Sequence, residues 1–148
     1  AQSVYDYAIK FLSNLKFQDT GKSIVADSAF HQELIGHMAV DLETGFLWTR
    51  RQLELETSEP PILPKNKVVE HWRLAKGTVC ECAHRVAVNS LKACGTSNTG
   101  NHGVIGRGLR DLTMGLVQAF PAERGRIEAA KSIVTDKMQS GFAVGEKK

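Results

Sequence analysis

Residues 65–93 read KNKVVEHWRLAKGTVCECAHRVAVNSLKA, and the spacing of the apolar positions decides the fold class. Trp72, Val79, Val86 and Ala93 fall seven apart, with Val68, Ala75 and Cys82 at the alternate positions. A repeat of that period keeps one stripe on one side of an α-helix, which makes this stretch the seam of a bundle helix. Immediately upstream, Pro60, Pro61 and Pro64 cannot all sit in a helix interior, so Thr57 to Pro64 reads as a loop.

The same reading extends outward. Asp27-Ser28 offers N-cap oxygens for a helix running to about Glu56, with Phe30, Leu34, Met38, Leu42 and Phe46 along one stripe and Ile35 widening it. Gly45 inside that helix costs roughly 1 kcal/mol relative to alanine, which points to a close helix contact there. An earlier segment, from about Ser3 to Phe17, repeats Val4, Ala8, Phe11, Leu12 and Leu15 at helical spacing before Asp19-Thr20-Gly21 stops it. After Ala93 comes a glycine-studded loop. A further helix begins between Val104 and Leu109 and uses Leu109, Leu112, Leu116 and Phe120. Pro121 suits the first turn of a renewed helix, in which Ile127, Ala130, Val134 and Met138 form the stripe and Gly141 the end. No stretch shows strand alternation between turn signals. Long helices joined by short or moderate connections imply an all-α protein, an antiparallel up-and-down four-helix bundle forming a single domain over residues 1–148.

Composition narrows the function classes. The chain has 148 residues, 42% hydrophobic and 24% charged, which is ordinary globular material. No apolar run approaches the roughly 20 residues of a membrane-spanning helix, so no membrane partner is expected. The net charge of +3 comes from lysines and arginines dispersed among acids, which does not indicate a nucleic-acid surface. Cys80, Cys82 and Cys94 are odd in number and lack metal-type pairing, consistent with a reducing, cytoplasmic setting. The amphipathic pattern is already under way at Ala1, so the chain is expected to be a piece of something longer.

The loop carries the densest local chemistry. Five of the 13 glycines lie between Gly95 and Gly108, where a backbone without Cβ atoms turns tightly or comes close to another molecule. This is not a dinucleotide fingerprint, because a helix rather than a strand precedes it and the glycine order runs backwards. Amides beside the glycines, with Thr96, Ser97, Asn98 and Thr99, still offer hydrogen bonds to phosphate oxygens. Cys80 and Cys82 lie about 200° apart around a helix and cannot face one metal, and the five histidines show no ligand spacing, so no metal site is expected. Arg110-Asp111 reads as an ion pair locking the loop onto the bundle, and Glu123 with Arg126 as a solvated helix pair.

The order of these elements resembles the carboxy-terminal helical domain of acyl-CoA dehydrogenase-like flavoproteins. The match covers nearly the whole chain. It runs through Phe11 to Gly21, then Gln32, Ile35, Gly36 and Met38 followed by Asp41-Leu42-Glu43, then Cys94-Gly95-Thr96 and the ungapped spacing to Arg110-Asp111. The resemblance implies a four-helix domain that completes an FAD site, often a neighbouring subunit's, and forms much of a dimer or tetramer interface. It places Lys16, Phe17, Gln32, Gly95 and Thr96 near the flavin nucleotide. It also implies an acyl-CoA or other small-molecule substrate in the full-length oxidoreductase. Leu15 or Phe17 stands where the family has a phosphate-binding arginine, and Thr96 where it has a second glycine, leaving Lys16 to supply positive charge as a point charge. The family's two positions for a catalytic glutamate fall on Ala119 and Asn14, neither of which can take a proton from carbon, and Glu123 is the nearest carboxylate after Pro121. Related flavin monooxygenases use a histidine beyond Arg-Asp, where Met114 to Phe120 here contains none.

Overall fold

A computed structural model describes residues 1–100 and 102–135, and among them the regular structure is all helical. The order is α1 (Gln2–Ser13), α2 (Ile24–Asp27), α3 (Ala29–Thr57), α4 (Lys65–Cys94), a 3-10 turn (Thr96–Asn98), α5 (Val104–Val117) and α6 (Ala122–Thr135). No strand occurs among the described residues. Lys16 and Ser23 form an isolated antiparallel bridge.

The ends of the two long helices follow local chemistry. Ser28 caps α3, its hydroxyl oxygen accepting from the His31 N–H. Pro64 precedes α4, and Gly95, at φ +76°, turns the chain away after Cys94. The first helix ends earlier than its apolar pattern suggests, at Ser13 rather than Phe17. Residues 15–24 instead form a small hydrogen-bonded loop in which Phe17 N–H donates to Lys22 O at 2.9 Å and Gly21 takes φ +65°.

Helix α4 is the axis of the molecule. On one side α3 runs antiparallel to it, meeting it through Met38 and Ser90, Asp41 and Arg85, Gly45 and Cys82, and Gln52 and His71. On the other side α5 and α6 descend in series. Gly115 lies against Cys80, Gly77 against Ala122 and Gly125 against the Arg73 carbonyl. Between α5 and α6 the chain breaks over Gln118 to Pro121, with Ala119 at φ +67° and Phe120 buried. Lys76 holds that corner. Its ammonium donates to Gly115 O at 3.0 Å and to Phe120 O, and lies 5.0 Å from the Phe120 ring centre. Helix α1 fills the loop end, where Val4, Ala8 and Leu12 join Leu34, Ala93, Cys94 and Ile105 in one buried cluster.

Two apolar stripes differ from their sequence reading. Phe30 and Phe46 are 57% and 58% exposed, while Leu34, Met38 and the acidic Asp41 are buried. In α6 the buried residues are the small ones, Ala122, Gly125, Ala129 and Ser132, and Ile127 and Val134 point outward. Close approach to α4 selects the face without side-chain bulk, and the larger residues are left outside. Met138 and the expected helix end at Gly141 lie outside the described residues.

Candidate functional site

Of the five residues expected near a flavin nucleotide, four belong to two turns at the loop end of the molecule and Gln32 to the start of α3. Lys16 and Phe17 sit in the 15–24 loop, Lys16 exposed and Phe17 half-buried. Leu15 and Val25, at the ends of that loop, pack on the buried cluster under α1. Gln32, in the first turns of α3, donates its side-chain amide to Val25 O at 3.1 Å and Ala26 O at 2.8 Å, fastening α3 to the end of α2. Gly95 and Thr96 are exposed and follow Cys94, which belongs to the same cluster. Tyr7 of α1 donates to Asn98 Oδ1 at 3.0 Å and ties the second turn to the first helix.

The glycine loop uses its glycines for contact with itself. A Cβ on Gly106 would lie 2.6 Å from Thr99 O, and one on Gly103 would lie 2.8 Å from Asn98 O, so loop and α5 press together where only glycine fits. Several loop amides already donate within the loop: Asn98 to Gly95 O, Thr99 to Thr96 O and Gly103 to Gly100 O. Gly95 and Thr96 are exposed, as are Ser97, Thr99 and Gly100 after them. Arg110 and Asp111 lie inside α5, which starts at Val104. Asp111 pairs with Arg107 one turn away at 3.4 Å, and both side chains are mostly exposed.

The residues considered for proton abstraction are dispersed. Asn14 closes α1 and donates to Lys10 O, and Ala119 occupies the break before α6. Glu123 opens α6 with a largely exposed side chain, 3.5 Å from Arg126. It borders a cleft of about 210 Å³ shared with Glu81, His84, Arg85, Leu116 and Ala122, and Arg126 bridges to Glu81 at 2.8 Å. The hydrogen bond to Glu81 raises the Arg126 pKa.

Two further polar clusters join α3 to α4, and sequence reasoning missed both. Buried Asp41 accepts from Arg85 Nε at 3.1 Å and Nη2 at 2.5 Å, a two-pronged pair that raises the arginine pKa. Arg85 also reaches Cys82 Sγ at 3.1 Å, yet burial dominates there and pushes the Cys82 thiol up. His71 stacks on Trp48 with ring centres 4.8 Å apart. Its Nδ1 lies 2.7 Å from Gln52 Oε1, and Gln52 Nε2 donates to Glu56 at 2.5 Å. That relay fixes the proton of neutral His71 on Nδ1. Burial first, and then the Arg51 charge, lower its pKa. The partners are 44 and 19 residues apart, and only the α3–α4 register brings them together. No group of three or more His, Cys, Asp or Glu side chains among the described residues could hold a metal ion.

Comparison with known proteins returns no match: no family model fits the chain, and no curated protein or solved structure matches it. No helix among the described residues is long and apolar enough to cross a membrane.

Proposed function

We propose that this chain is the carboxy-terminal helical domain of an acyl-CoA dehydrogenase-like FAD-dependent oxidoreductase, completing a flavin site and an oligomer interface. The reading is that α1, α3, α4 and the α5–α6 series form the four tracks of an up-and-down four-helix bundle. One observation carries it. The motifs that resemble the family in sequence order, the 15–24 loop, Gln32 and the Gly95–Thr96 turn, are gathered around one buried cluster at one end of the fold. Lys16 would contribute a point charge to a phosphate, and the exposed Gly95–Thr96 turn a close backbone approach. An edge of this kind supplies too few buried contacts to hold a dinucleotide alone, so the isolated chain binds FAD weakly and the full-length protein binds it well. Three free cysteines fit a cytoplasmic, reducing setting.

Asn14 and Ala119 at the two glutamate positions leave a dehydrogenase without its usual base, and Met114 to Phe120 leaves a flavin-dependent monooxygenase without its histidine, so the same domain of a monooxygenase, whose peroxyflavin chemistry needs a shaped pocket more than a carboxylate, is the alternative reading. A stand-alone oligomerisation module is the remaining alternative. The outward pairs Val40 with Leu47 on α3 and Ile127 with Val134 on α6 are apolar faces suited to a dimer or tetramer in either case.

The test is flavin content of the full-length protein. A yellow protein that loses flavin on Lys16→Glu, with helicity intact, is the expected result. A full-length protein that stays colourless after reconstitution with FAD would leave only the oligomerisation module.

A further inference from the structure

Helix α3 turns one side to the rest of the chain and the opposite side outward. Met38, Asp41, Gly45, Trp48 and Gln52 lie on the side that meets α4. At about 100° per residue the opposite direction belongs to Gly36, Glu43 and Arg50, and nothing lies within 4 Å of a Cβ added to Gly36. Val40 and Leu47 flank that row on one side, Phe46 and Leu53 on the other, each more than half exposed. The two charges in the row have no counterpart on their own helix. The residues three and four places from Glu43 are Ala39, Val40, Phe46 and Leu47. Those from Arg50 are apolar except Glu54, which Arg51 engages at 2.7 Å. Neither Glu43 nor Arg50 forms a hydrogen bond or ion pair with another described residue.

Such a face is complementary to itself. A twofold axis at the level between Phe46 and Leu47 runs the helix antiparallel to its copy. Glu43 of each chain then stands level with Arg50 of the other, because both lie about 5 Å along the helix from the axis. Phe46 comes beside Phe46 of the second copy and Leu47 beside its Leu47, with Leu53 at the level of Ala39. A parallel pairing would set Glu43 on Glu43 and Arg50 on Arg50, and like charges facing across an interface oppose it. We infer that the outer face of α3 binds a second copy of this chain, the two helices pairing antiparallel over residues 39–54 with two reciprocal Glu43–Arg50 ion pairs. The inference rests on the oligomer part of the functional reading and gives that interface its partner and register. Residues 39–54 span about 24 Å of helix, so one such pair sits at the small end of specific interfaces and the dimer is reversible.

Exchanging the charges tests the pairing. Sedimentation equilibrium at low salt, from about 1 to 200 µM, follows the parent chain and three variants: Glu43→Arg, Arg50→Glu and the two combined. Each single variant sets like charges against each other at both pairs, while the combined variant restores attraction with the ends exchanged. The expected result is a dimer for the parent, one weaker by about 10-fold or more for each single variant, and recovery in the combined variant. An equal mixture of the two single variants should recover it too, as a heterodimer. Both positions are exposed, so circular dichroism should show the parent's helicity in every variant. A parent that stays monomeric over the whole range overturns the inference. So does a dimer that both single variants keep at full strength, which assigns association to another face, such as Ile127 and Val134 on α6. Weakening with no recovery in the combined variant and the mixture also overturns it. The assay contains no flavin. A yellow full-length protein without the exchange effect therefore removes the α3 pairing alone, and a colourless one with recovery leaves the pairing standing.

Discussion

Replacing glycine with alanine should have opposite signs at two pairs of positions, Gly36 and Gly45 within α3 and Gly77 and Gly125 where α4 meets α6. In a helix interior alanine is favoured over glycine by about 1 kcal/mol. At Gly36 nothing lies within 4 Å of an added Cβ, and at Gly45 the nearest atom is Cys82 Cβ at 4.0 Å, an ordinary contact. Gly36→Ala and Gly45→Ala should therefore each stabilise by up to about 1 kcal/mol, or roughly 2–4 °C in Tm for a chain of this size. At Gly77 the added Cβ meets Ala122 Cβ at 2.9 Å and its Cα at 3.1 Å, and at Gly125 it meets Arg73 O at 2.6 Å and the Phe120 ring at 2.8 Å. The obstacles are backbone or the side chain of a buried aromatic, so α6 must withdraw from α4 by roughly half an ångström or more. Overpacking of this kind costs about 1–3 kcal/mol, and the Phe120 ring also packs on Trp72, which puts Gly125→Ala at the upper end. Net of the helix gain, Gly77→Ala should lose about 1 kcal/mol and Gly125→Ala about 2. Urea unfolding followed by far-ultraviolet circular dichroism measures all four variants against the parent. Gly125→Ala as stable as Gly45→Ala would refute the close α4–α6 approach.

Lys76→Met should loosen the α5–α6 corner by removing its hydrogen bonds to Gly115 O and Phe120 O, so limited proteolysis should cut around Gln118 to Pro121 faster than in the parent. Alkylation at pH 8 should label half-buried Cys80 first, because Cys82 and Cys94 are buried and burial pushes the Cys94 thiol up to about 11. Peptide mass spectrometry showing equal labelling of Cys94 would contradict this. His71 has a lowered pKa in the folded state, so the unfolded chain binds the proton more readily. Its contribution to stability is complete above the unfolded value of about 6.5 and falls as pH drops from there through the folded value. Tm measured from pH 7.5 to 5 should decline below 6.5, and His71→Gln should flatten that decline.

The helices that carry the fold were legible where local chemistry marks their ends. Ser28, the prolines of the 57–64 loop, Gly95 and Pro121 each fix a boundary through one residue's own stereochemistry, and each stands where the chain turns. The short α2 and the early end of α1 were not legible, because Leu15 and Phe17 continue the apolar pattern while serving a loop. Large residues also misled. Ile127 and Val134 suggest a buried stripe, but helix approach is set by Gly77, Ala122 and Gly125, which carry almost no hydrophobic signal. Of the candidate site, the glycine loop after Cys94 was legible from its glycine density, whereas Lys16 and Phe17 read as helix. Sequence order did not show that Gln32 spends its amide on α2 or that Gly103 and Gly106 face their own loop. The pairs Asp41–Arg85, His71–Gln52 and Glu81–Arg126 depend on interhelical register, which no local pattern encodes.

The seating of α1 also imposes an order of events during synthesis. Tyr7 and its partner Asn98 are 91 residues apart, and Val4 packs against Gly108. The strip formed by Val4, Ala8 and Leu12 leaves the ribosome ahead of α3 and α4, yet its seat is incomplete until Ala93, Cys94 and Ile105 have followed. At roughly 5–20 residues per second that interval lasts about 5–20 s, far longer than helix formation or collapse requires. During it the α3–α4 hairpin can close on its own, while α1 remains an exposed amphipathic segment. This chain should therefore engage a chaperone through its first helix, and moving α1 to follow α6 by circular permutation should shorten that engagement.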